Sequence, residues 1–230
     1  MLTFSEKVVF AIIVVGSMAY FTYRAFVLVR LIRCAGKPDP EDRLHDFGVR
    51  TASAALDVLL QRRTFRKPWI GALHLLIVWG FFVFAANTIN HFAGAFVPDF
   101  NLFGQTFLAN AYAATADLFA VLIIAGIAGL AFRRHVLRPD LLTRPSPESA
   151  IVFTFIAGAM AAYLCAKATE IALGGRADAE WHFVASWLAR GFAAVGHGPL
   201  VAAAHVAWWC DGLMHLALIG LLIVPTKHVH

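Results

Sequence analysis

Charged residues and cysteines are both scarce in this chain of 230 residues. Only 14% of the residues are Asp, Glu, Lys or Arg, whereas 60% are hydrophobic. A soluble domain of this length could not hide that much apolar surface in one core. The stretch Pro68–Pro98 contains no Lys, Arg, Asp or Glu, and about 20 apolar residues suffice for a helix to cross a bilayer. The composition therefore predicts a membrane protein.

The three cysteines, Cys34, Cys165 and Cys210, are far apart in the sequence and form no CxxC pair. Thiolates of this chain alone would therefore assemble neither an iron–sulfur cluster nor a zinc site. The sequence also lacks a glycine-rich phosphate loop and a nucleophile elbow. Metal-based redox chemistry in this chain would have to rely on histidine.

Five apolar windows bounded by charged residues are each long enough to cross a membrane. They lie at about 8–31, 69–90, 107–132, 150–173 and 199–226. We therefore predict an all-α fold in which residues 1–230 form one integral membrane bundle of five transmembrane helices. The first span follows Glu6 and Lys7 and lacks a small-residue cleavage site, so we interpret it as a retained helix rather than a signal peptide.

Basic residues are concentrated in two of the four loops that connect these spans. Nine lie between Arg30 and Lys67 and four between the third and fourth spans, whereas the other two loops hold none and two. The positive-inside rule then predicts that the N-terminus lies outside and the C-terminus in the cytoplasm. This topology accounts for the net charge of +5, so we expect no nucleic-acid partner.

Two amphipathic segments between spans are predicted to lie along the membrane surface. In the first, about 41–63, one helical stripe carries apolar residues, namely Leu44, Phe47, Ala55, Val58 and Leu59. In the second, about 177–195, Trp181, Val184, Trp187 and Leu188 lie on one side. Docking of a partner helix is the alternative interpretation of both segments.

Histidines cluster on two of the five spans. Six of the ten fall in or at the ends of the second and fifth spans: His74, His91, His205, His215, His228 and His230. Neutral imidazole is an axial ligand of haem iron, and facing helices of a bundle are where such sites are built. We therefore expect haem between helices two and five. The other four, His45, His135, His182 and His197, are predicted to be solvated in loops.

Helix geometry favours one pairing of these histidines for two haems stacked across the membrane. His74 and His91 are ~25 Å apart along a helix, and His215 and His230 are ~22 Å apart. The pairs His74/His230 and His91/His215 therefore match in spacing, and His230 fits the helix phase better than His228. By the same count His74 and His91 lie about 100° apart around their helix, so that half of the scheme fits less well.

Other roles of these histidines also fit the sequence. Pairing His74 with His215 and His91 with His205 would match ~25 Å against ~15 Å, which requires strongly tilted helices. A single haem held by His74 and His215 is a further alternative. All of these histidines could also be structural residues at the ends of membrane spans.

Ionisable residues inside spans are costly and are therefore functional candidates. Arg24 could pair with a haem propionate or extend to the membrane surface. Lys167 and Glu170 are three residues apart and are expected to neutralise one another. Asp117 and Asp211 have no partner nearby in sequence, so each is either hydrogen-bonded across helices or part of a proton route to quinone.

Several motifs occur in an order that resembles one family of membrane cytochromes. They are Lys67–His74 with Val78–Phe82, Asp117–Leu122, Arg133–Arg134 with Arg138–Pro139, Glu170–Gly175, Trp208–Trp209 and Pro225–His230. Together they resemble the nitrate reductase gamma-subunit-like cytochrome b domain over essentially the whole chain. The resemblance is closest to the N-terminal membrane part of heterodisulfide-reductase-like iron–sulfur proteins associated with electron-transfer flavoprotein.

This resemblance implies b-type haem, two per chain with one as the alternative, and a place in the bacterial inner membrane. It implies electron transfer between a cytoplasmic iron–sulfur domain or subunit and membrane quinone, with electron-transfer flavoprotein as a further partner. Carried over by motif, His74 and His230 would bind the cytoplasmic-side haem. The chain departs from the family where relatives place a histidine two residues after the paired tryptophans. It has Asp211 there, and His215 lies one helical turn later on nearly the same face.

The functional expectation is thus a membrane cytochrome b that transfers electrons between a soluble redox partner and quinone. A haem-free membrane anchor or small proton or solute transporter is the alternative from a different class. Against a transporter, no internal repeat and no matched pair of broken helices is evident. A haem-binding sensor or chaperone without electron transfer is the third hypothesis.

Overall fold

A computed structural model describes residues 2–35, 46–61, 64–137, 147–175 and 178–223. The elements in these ranges are helices, and no strand occurs among them. The α-helices are α1 (Phe4–Ala35), α2 (Phe47–Leu60), α3 (Pro68–Gly94), α4 (Phe107–Phe132), α5 (Pro147–Ala172), α6 (Phe183–Ala189) and α7 (His197–Ala217). Two π-helical segments, Arg133–Leu137 and Leu218–Ile223, continue α4 and α7.

Among the described residues, four helices are long and apolar enough to cross a membrane. These are Phe4–Leu31, Pro68–Gly94, Phe107–Leu137 and Ser149–Ala172. They coincide with the first four predicted spans, which confirms a multi-pass arrangement of apolar helices. The predicted span at about 199–226 is not among the four. It corresponds to α7, in which His205, Asp211 and His215 reduce the apolar content, and residues 224–226 lie outside the described ranges.

Local sequence signals explain where the central helices begin. Pro68 is the first residue of α3, a position where its missing N–H and fixed φ are compatible with a helix. Thr106 caps α4, because its side-chain oxygen accepts a hydrogen bond from the Ala109 N–H at 3.4 Å. Both helices therefore begin within two residues of the predicted apolar windows.

The helices pack in the order α3, α4, α5 and α7, and α1 lies against the π-helical end of α7. The main apolar core includes Phe84 of α3, Ile123 of α4, and Met160 and Tyr163 of α5. Phe84 and Tyr163 meet edge to face with their ring centroids 5.0 Å apart. α3 and α7, which hold the histidines of interest, also contact each other.

The first predicted surface segment is a helix on the outside of the bundle. α2 has no buried residue, and the indole N–H of Trp79 on α3 donates a hydrogen bond to the Leu59 carbonyl at 3.2 Å. This bond anchors the C-terminal end of α2 to α3. The rest of the predicted segment, residues 41–45 and 62–63, lies outside the described ranges.

The second predicted surface segment is shorter and packs differently from the expectation. α6 spans only Phe183–Ala189 and is flanked by 3₁₀ turns, Ala179–Trp181 and Arg190–Phe192. The residues predicted to share an apolar side have different surroundings. Trp187 is 66% exposed, whereas Val184 and Leu188 pack against the main core. The buried side is set by Ala185 and Ala189, which pack with Ala168 of α5, since small residues permit close approach.

Candidate functional site

A buried aspartate on α7 joins two of the predicted histidines. Asp211 is only 1% exposed. Its Oδ2 atom lies 3.1 Å from Nδ1 of His91 on α3, and its Oδ1 atom lies 3.2 Å from Nδ1 of His215 on α7. We call His91, Asp211 and His215 the Asp211 cluster. The structure thus brings together the two residues predicted to form one haem-binding pair, and it places a carboxylate between them.

The backbone of Asp211 also holds His215. Nδ1 of His215 lies 2.8 Å from the Asp211 carbonyl oxygen, one helical turn earlier in α7. The His215 ring is buried and stacks on Phe84 of α3, with ring centroids 6.0 Å apart and planes 18° apart. The orientation of His215 is therefore fixed by a hydrogen bond within its own helix and by a ring on a neighbouring helix.

Aromatic rings from α7 and α1 enclose His91. Trp208 stacks on it with centroids 4.4 Å apart and planes 22° apart, and Phe10 of α1 meets it edge to face at 6.4 Å. Gly212 allows the close approach of α7, because a Cβ atom there would lie 2.9 Å from His91 Nε2. The glycine is therefore required for the His91 ring to occupy this position.

The Nε2 atoms of both cluster histidines are buried and have no hydrogen-bond partner among the described residues. In imidazole the two ring nitrogens point in different directions, so each Nε2 faces away from the oxygen that its Nδ1 contacts. Histidine ligands of metals commonly donate Nδ1–H to a carboxylate or carbonyl and bind through the other nitrogen. Both rings therefore have the hydrogen bonding that such a ligand requires.

The other predicted iron ligands lie elsewhere in the structure. His74 is exposed on the surface of α3. His205 Nε2 lies 2.6 Å from Glu6 Oε1, which joins α7 to the start of α1. His228 and His230 lie outside the described residues. The structure therefore brings together one predicted ligand pair, His91 and His215, and leaves the pairing of His74 with His230 a prediction.

The two predicted intramembrane aspartates differ in their partners. Asp117 Oδ2 accepts hydrogen bonds from the backbone N–H groups of Val184 and Ala185 at the start of α6. Asp117 therefore connects α4 to α6 across helices, in keeping with one of its two predicted roles.

Arg24, which is half-buried on α1, has no hydrogen bond or ion pair with a described residue.

His182 is not solvated, contrary to the expectation from sequence. It is only 2% exposed and lies between two carboxylates. Its Nδ1 is 3.8 Å from Asp117 Oδ1, and its Nε2 is 3.6 Å from Asp178 Oδ2. The prediction was wrong because the loop before α6 folds inward over Asp117, a contact between residues far apart in sequence.

A polar cavity of about 240 Å³ adjoins the Asp211 cluster at the end of the bundle that carries α6. Its polar lining consists of Asn87, Asn90, His91, Asp99, Asn101, Tyr112, Lys167, Glu170, Asp178 and His182. Lys167 Nζ lies 3.3 Å from Glu170 Oε2, which confirms the predicted neutralising pair. The volume and lining suit several waters or the polar head of a small ligand.

Asn87 and His182 are the buried polar residues of this region that sequence reasoning did not select. Asn87 is buried, and its Nδ2 atom has no hydrogen-bond partner among the described residues. It lies four residues before His91, hence one helical turn away on nearly the same face of α3. That spacing within an uncharged stretch was the available signal for Asn87. For His182 the only signal was its i,i+4 spacing from Asp178.

Within the described ranges, no group of three or more His, Cys, Asp or Glu side chains is arranged to hold a metal ion directly. Haem iron takes only axial ligands from a protein, which is fewer than three side chains. Comparison of the chain with protein-family models, curated proteins and solved structures finds no significant match.

Proposed function

We propose that this protein is a membrane cytochrome b that transfers electrons between a cytoplasmic iron–sulfur or flavoprotein partner and membrane quinone. In this proposal α7 and its π-helical continuation form the fifth transmembrane helix. The N-terminus lies outside and the C-terminus in the cytoplasm of a bacterial inner membrane, so α6 and the polar cavity are on the outer side. The positive-inside distribution of basic residues supports this orientation.

The observation that carries the proposal is the pair of buried histidines whose Nδ1 atoms contact Asp211 and whose Nε2 atoms have no hydrogen-bond partner among the residues that the structure describes. Burying a polar atom without a hydrogen-bond partner costs free energy. Two such atoms where α3 meets α7 therefore favour a bound ligand at this place. His91 and His215 are the proposed ligands of b-type haem. Because both Nδ1 atoms contact Asp211 and His91 Nε2 packs against Gly212, the two rings would have to turn for their Nε2 atoms to reach one iron. When bound, haem supplies one-electron redox chemistry, and its protein surroundings set the potential.

A second haem would be held by His74 and His230. His74 and Phe92 are 18 residues apart on α3, which is five full helical turns, so they lie on the same stripe. Phe92 packs on Phe10 of α1 with ring centroids 5.5 Å apart, whereas His74, Phe81 and Ala85 on this stripe are exposed. This uncovered part of α3 leaves room for a cofactor beside His74.

Quinone is proposed to bind with its head group in the polar cavity. Asn87 Nδ2 is a buried donor that has no partner within the described ranges, and quinone carbonyl oxygens accept hydrogen bonds. His91 lies on the cavity wall, so a bound head group would be next to a proposed haem ligand. Trp208 and Phe100 contribute aromatic surface to the lining, which suits an aromatic ring.

The soluble partner is proposed to dock at the opposite end of the bundle, which carries Arg133 and Arg134 in a π-helical segment. The predicted basic loops reach the same side of the membrane. A basic surface favours an acidic partner and makes association weaker at high salt. An iron–sulfur domain, a separate iron–sulfur subunit and electron-transfer flavoprotein are the candidate partners.

The haem content of the purified chain tests this proposal. Protein made with ample haem is purified in detergent, and the dithionite-reduced minus oxidised spectrum is combined with a pyridine haemochrome assay. We expect a b-type spectrum with about two haems per chain, from the two proposed ligand pairs. One haem per chain would mean that only one of the two sites, the Asp211 cluster or the His74 site, binds haem. A colourless protein would overturn the proposal.

Single substitutions then assign the sites. His91→Ala and His215→Ala are expected to remove the same haem, and His74→Ala a different one. His197→Ala is the matched control, because His197 is exposed at the start of α7 and should not affect haem content. Unchanged spectra for both His91→Ala and His215→Ala would contradict the assignment of the Asp211 cluster.

The polar cavity and the buried Asp211 cluster also favour a second candidate function, proton movement by a haem-free protein. Chains of buried Asp, Glu and His residues are typical of proton routes in membrane proteins. A colourless protein that carries protons into liposomes would support this function. Bound haem that quinol does not reduce would instead favour a sensor or chaperone.

A further inference from the structure

We propose that His182 carries protons between the polar cavity and the water on the side of α6, with Asp178 as the carboxylate that connects His182 to that water. The proposal deepens the proposed function, because a quinone head group in the cavity binds or releases protons when it gains or loses electrons. It rests on that function only where quinone and haem are concerned. The position of His182 on the cavity wall is a property of the chain itself.

The His182 ring is buried in the cavity wall, and no hydrogen bond fixes it. The residue is 2% exposed, and neither ring nitrogen has a hydrogen-bond partner among the described residues. Asp178 Oδ2 lies 3.6 Å from Nε2 and Asp117 Oδ1 lies 3.8 Å from Nδ1, both just beyond hydrogen-bond distance. The His215 ring, by contrast, is held at 2.8 Å by a backbone carbonyl oxygen. A small shift of the His182 ring can therefore change its partner, as proton transfer requires.

The two neighbouring carboxylates differ in their access to water. Asp117 is completely buried, and its Oδ2 accepts hydrogen bonds from backbone N–H groups of α6. The Asp178 side chain is 21% exposed and also lines the cavity. When His182 carries a second proton it is a cation, and both carboxylates are close enough to pair with it. That proton can reach water through Asp178, whereas Asp117 has no exposed surface through which to release it.

Other titratable groups face the same cavity. Besides His182 and Asp178, they are His91 of α3, Asp99 after α3, Tyr112 of α4, and Lys167 and Glu170 of α5. Lys167 and Glu170 are 3.3 Å apart and compensate each other's charge. His91 contacts Asp211 through Nδ1. Of the two histidines in the lining, His182 is thus the one whose ring nitrogens are both without a hydrogen-bond partner in the described part of the chain.

Oxidation of a quinol in the cavity would use this route. Each quinol O–H bond that breaks gives its proton to an unprotonated ring nitrogen of His182, and the electron left on the oxygen passes to the haem of the proposed function. Imidazole can accept a proton at one nitrogen and donate from the other. His182 then gives a proton to the Asp178 carboxylate, which releases it to water. Two such transfers convert quinol to quinone and return both side chains to their starting states. Reduction of quinone uses the same steps in reverse.

The first test needs neither haem nor quinone. The chain is labelled with ¹⁵N-histidine in detergent, and NMR follows the ring signals from about pH 5 to 8. The His182→Gln variant identifies the His182 signals. We expect these signals to move with pH as one exchanging set. In Asp178→Asn we expect slower exchange with water, seen as separate signals of the protonated and unprotonated ring.

Glu180→Gln is the matched control for Asp178→Asn. Glu180 is an exposed carboxylate in the adjoining 3₁₀ turn and is not part of the cavity lining, so its substitution should leave the exchange unchanged. His182 signals that do not move with pH in the unsubstituted chain would overturn the inference. Equal effects of Asp178→Asn and Glu180→Gln would overturn it too.

The second test uses the haem-loaded protein and a short-tailed benzoquinol in detergent. Stopped-flow absorbance measures how fast the quinol reduces the haem. A positioned proton-transfer group typically contributes 10²–10⁴-fold to a rate, so we expect His182→Gln to lower the maximum rate by about that factor. Haem content and the quinol concentration at half-maximal rate should stay unchanged. His197→Gln is the matched control, because His197 is exposed and lies outside the cavity lining.

The solvent isotope effect distinguishes proton transfer from a structural role. Asp178→Asn should lower the rate of haem reduction and increase the ratio of the rates in H₂O and D₂O, because proton transfer then limits the reaction. A merely structural loss would lower the rate without increasing that ratio. An unchanged rate in His182→Gln, or an unchanged isotope effect in a slower Asp178→Asn variant, would contradict the inference.

The two tests separate the inference from the proposed function. A colourless protein whose His182 signals move with pH and respond to Asp178→Asn would overturn the cytochrome proposal and support proton transfer by His182. A haem protein that quinol reduces equally fast with and without His182 would do the reverse.

Discussion

At the scale of single residues, two aspartates with the same burial have different roles. Asp117 and Asp211 both lie within apolar windows and are 0% and 1% exposed. Asp117 Oδ2 accepts from two backbone N–H groups of α6, whereas Asp211 lies between two histidines. A buried carboxylate is tolerated only with partners, and the type of partner distinguishes a structural residue from a candidate functional one.

Asp117 is therefore expected to matter for stability. Asp117→Ala should lower the free energy of unfolding by about 1–3 kcal/mol, because it leaves two N–H groups at the start of α6 without an acceptor. Asp117→Asn should cost less, since its amide oxygen can still accept. Unfolding in detergent, followed by circular dichroism or tryptophan fluorescence, measures both. Glu180→Ala, at an exposed position of the neighbouring 3₁₀ turn, serves as control and should change stability little. Equal effects of Glu180→Ala and Asp117→Ala would contradict the capping role.

At the scale of elements, glycines allow the helices to approach closely. A Cβ atom at Gly80 of α3 would lie 2.6 Å from Ile123 Cγ1 on α4, and one at Gly129 of α4 would lie 2.8 Å from Leu73 Cδ1 on α3. Small residues at membrane helix interfaces allow such packing, since association depends on van der Waals contact rather than on apolar burial. The seam between α3 and α4 is therefore sensitive to single added methyl groups.

Gly80→Ala tests that seam. We expect it to destabilise the protein by about 1–3 kcal/mol, because the added methyl group must displace Ile123 or move the helix. Gly16→Ala on α1 is the control, since a Cβ atom there meets nothing within 4 Å. That change should be neutral or slightly stabilising, because alanine favours a helix more than glycine does. Thermal unfolding of the two variants in the same detergent provides the comparison. Equal destabilisation by both substitutions would contradict close packing at Gly80.

The approach of α7 to His91 makes a second prediction at this scale. In Gly212→Ala the added methyl group would lie 2.9 Å from His91 Nε2 and 3.2 Å from Phe10 Cε2. We expect it to displace the His91 ring and to weaken haem binding. Gly198→Ala, on the same helix but with open space around it, should leave haem content unchanged. The pyridine haemochrome assay measures both variants. Full haem content in Gly212→Ala would show that the position of the His91 ring does not matter.

At the scale of the whole molecule, the proposed orientation can be tested by labelling of cysteines in intact cells. Cys34 is exposed at the end of α1, on the proposed cytoplasmic side. Ala194 is exposed in the turn before α7, on the proposed outer side. With Cys165 and Cys210 replaced by serine, a membrane-impermeant maleimide should label the Ala194→Cys variant, in which Cys34 is also replaced. The same reagent should not label a chain that keeps only Cys34 until the cells are opened. The opposite pattern would invert the topology.

Much of the fold could be predicted from the sequence, and less of the candidate site. The first four spans are local properties of apolar windows, so they were found close to their observed ends. His91 and His215 were selected because histidine is unusual inside such windows. Other features depend on how closely distant segments of the chain approach each other. They are the contact of His91 with Asp211, the burial of His182, and the division of the predicted segment 177–195 into α6 and two 3₁₀ turns. No periodic pattern within one segment carries that information.

Apolar helices with ionisable residues at a few places within them are properties that the amino-acid sequence alone reveals. Hydrophobicity is summed residue by residue along a helix, so it can be read without knowing the neighbours. Which carboxylate contacts the histidines and which one caps α6 becomes known only from the three-dimensional packing. Hydrogen bonds require partners within about 3 Å and in the correct direction, and packing of α3 and α4 against α7 and α6 determines those positions.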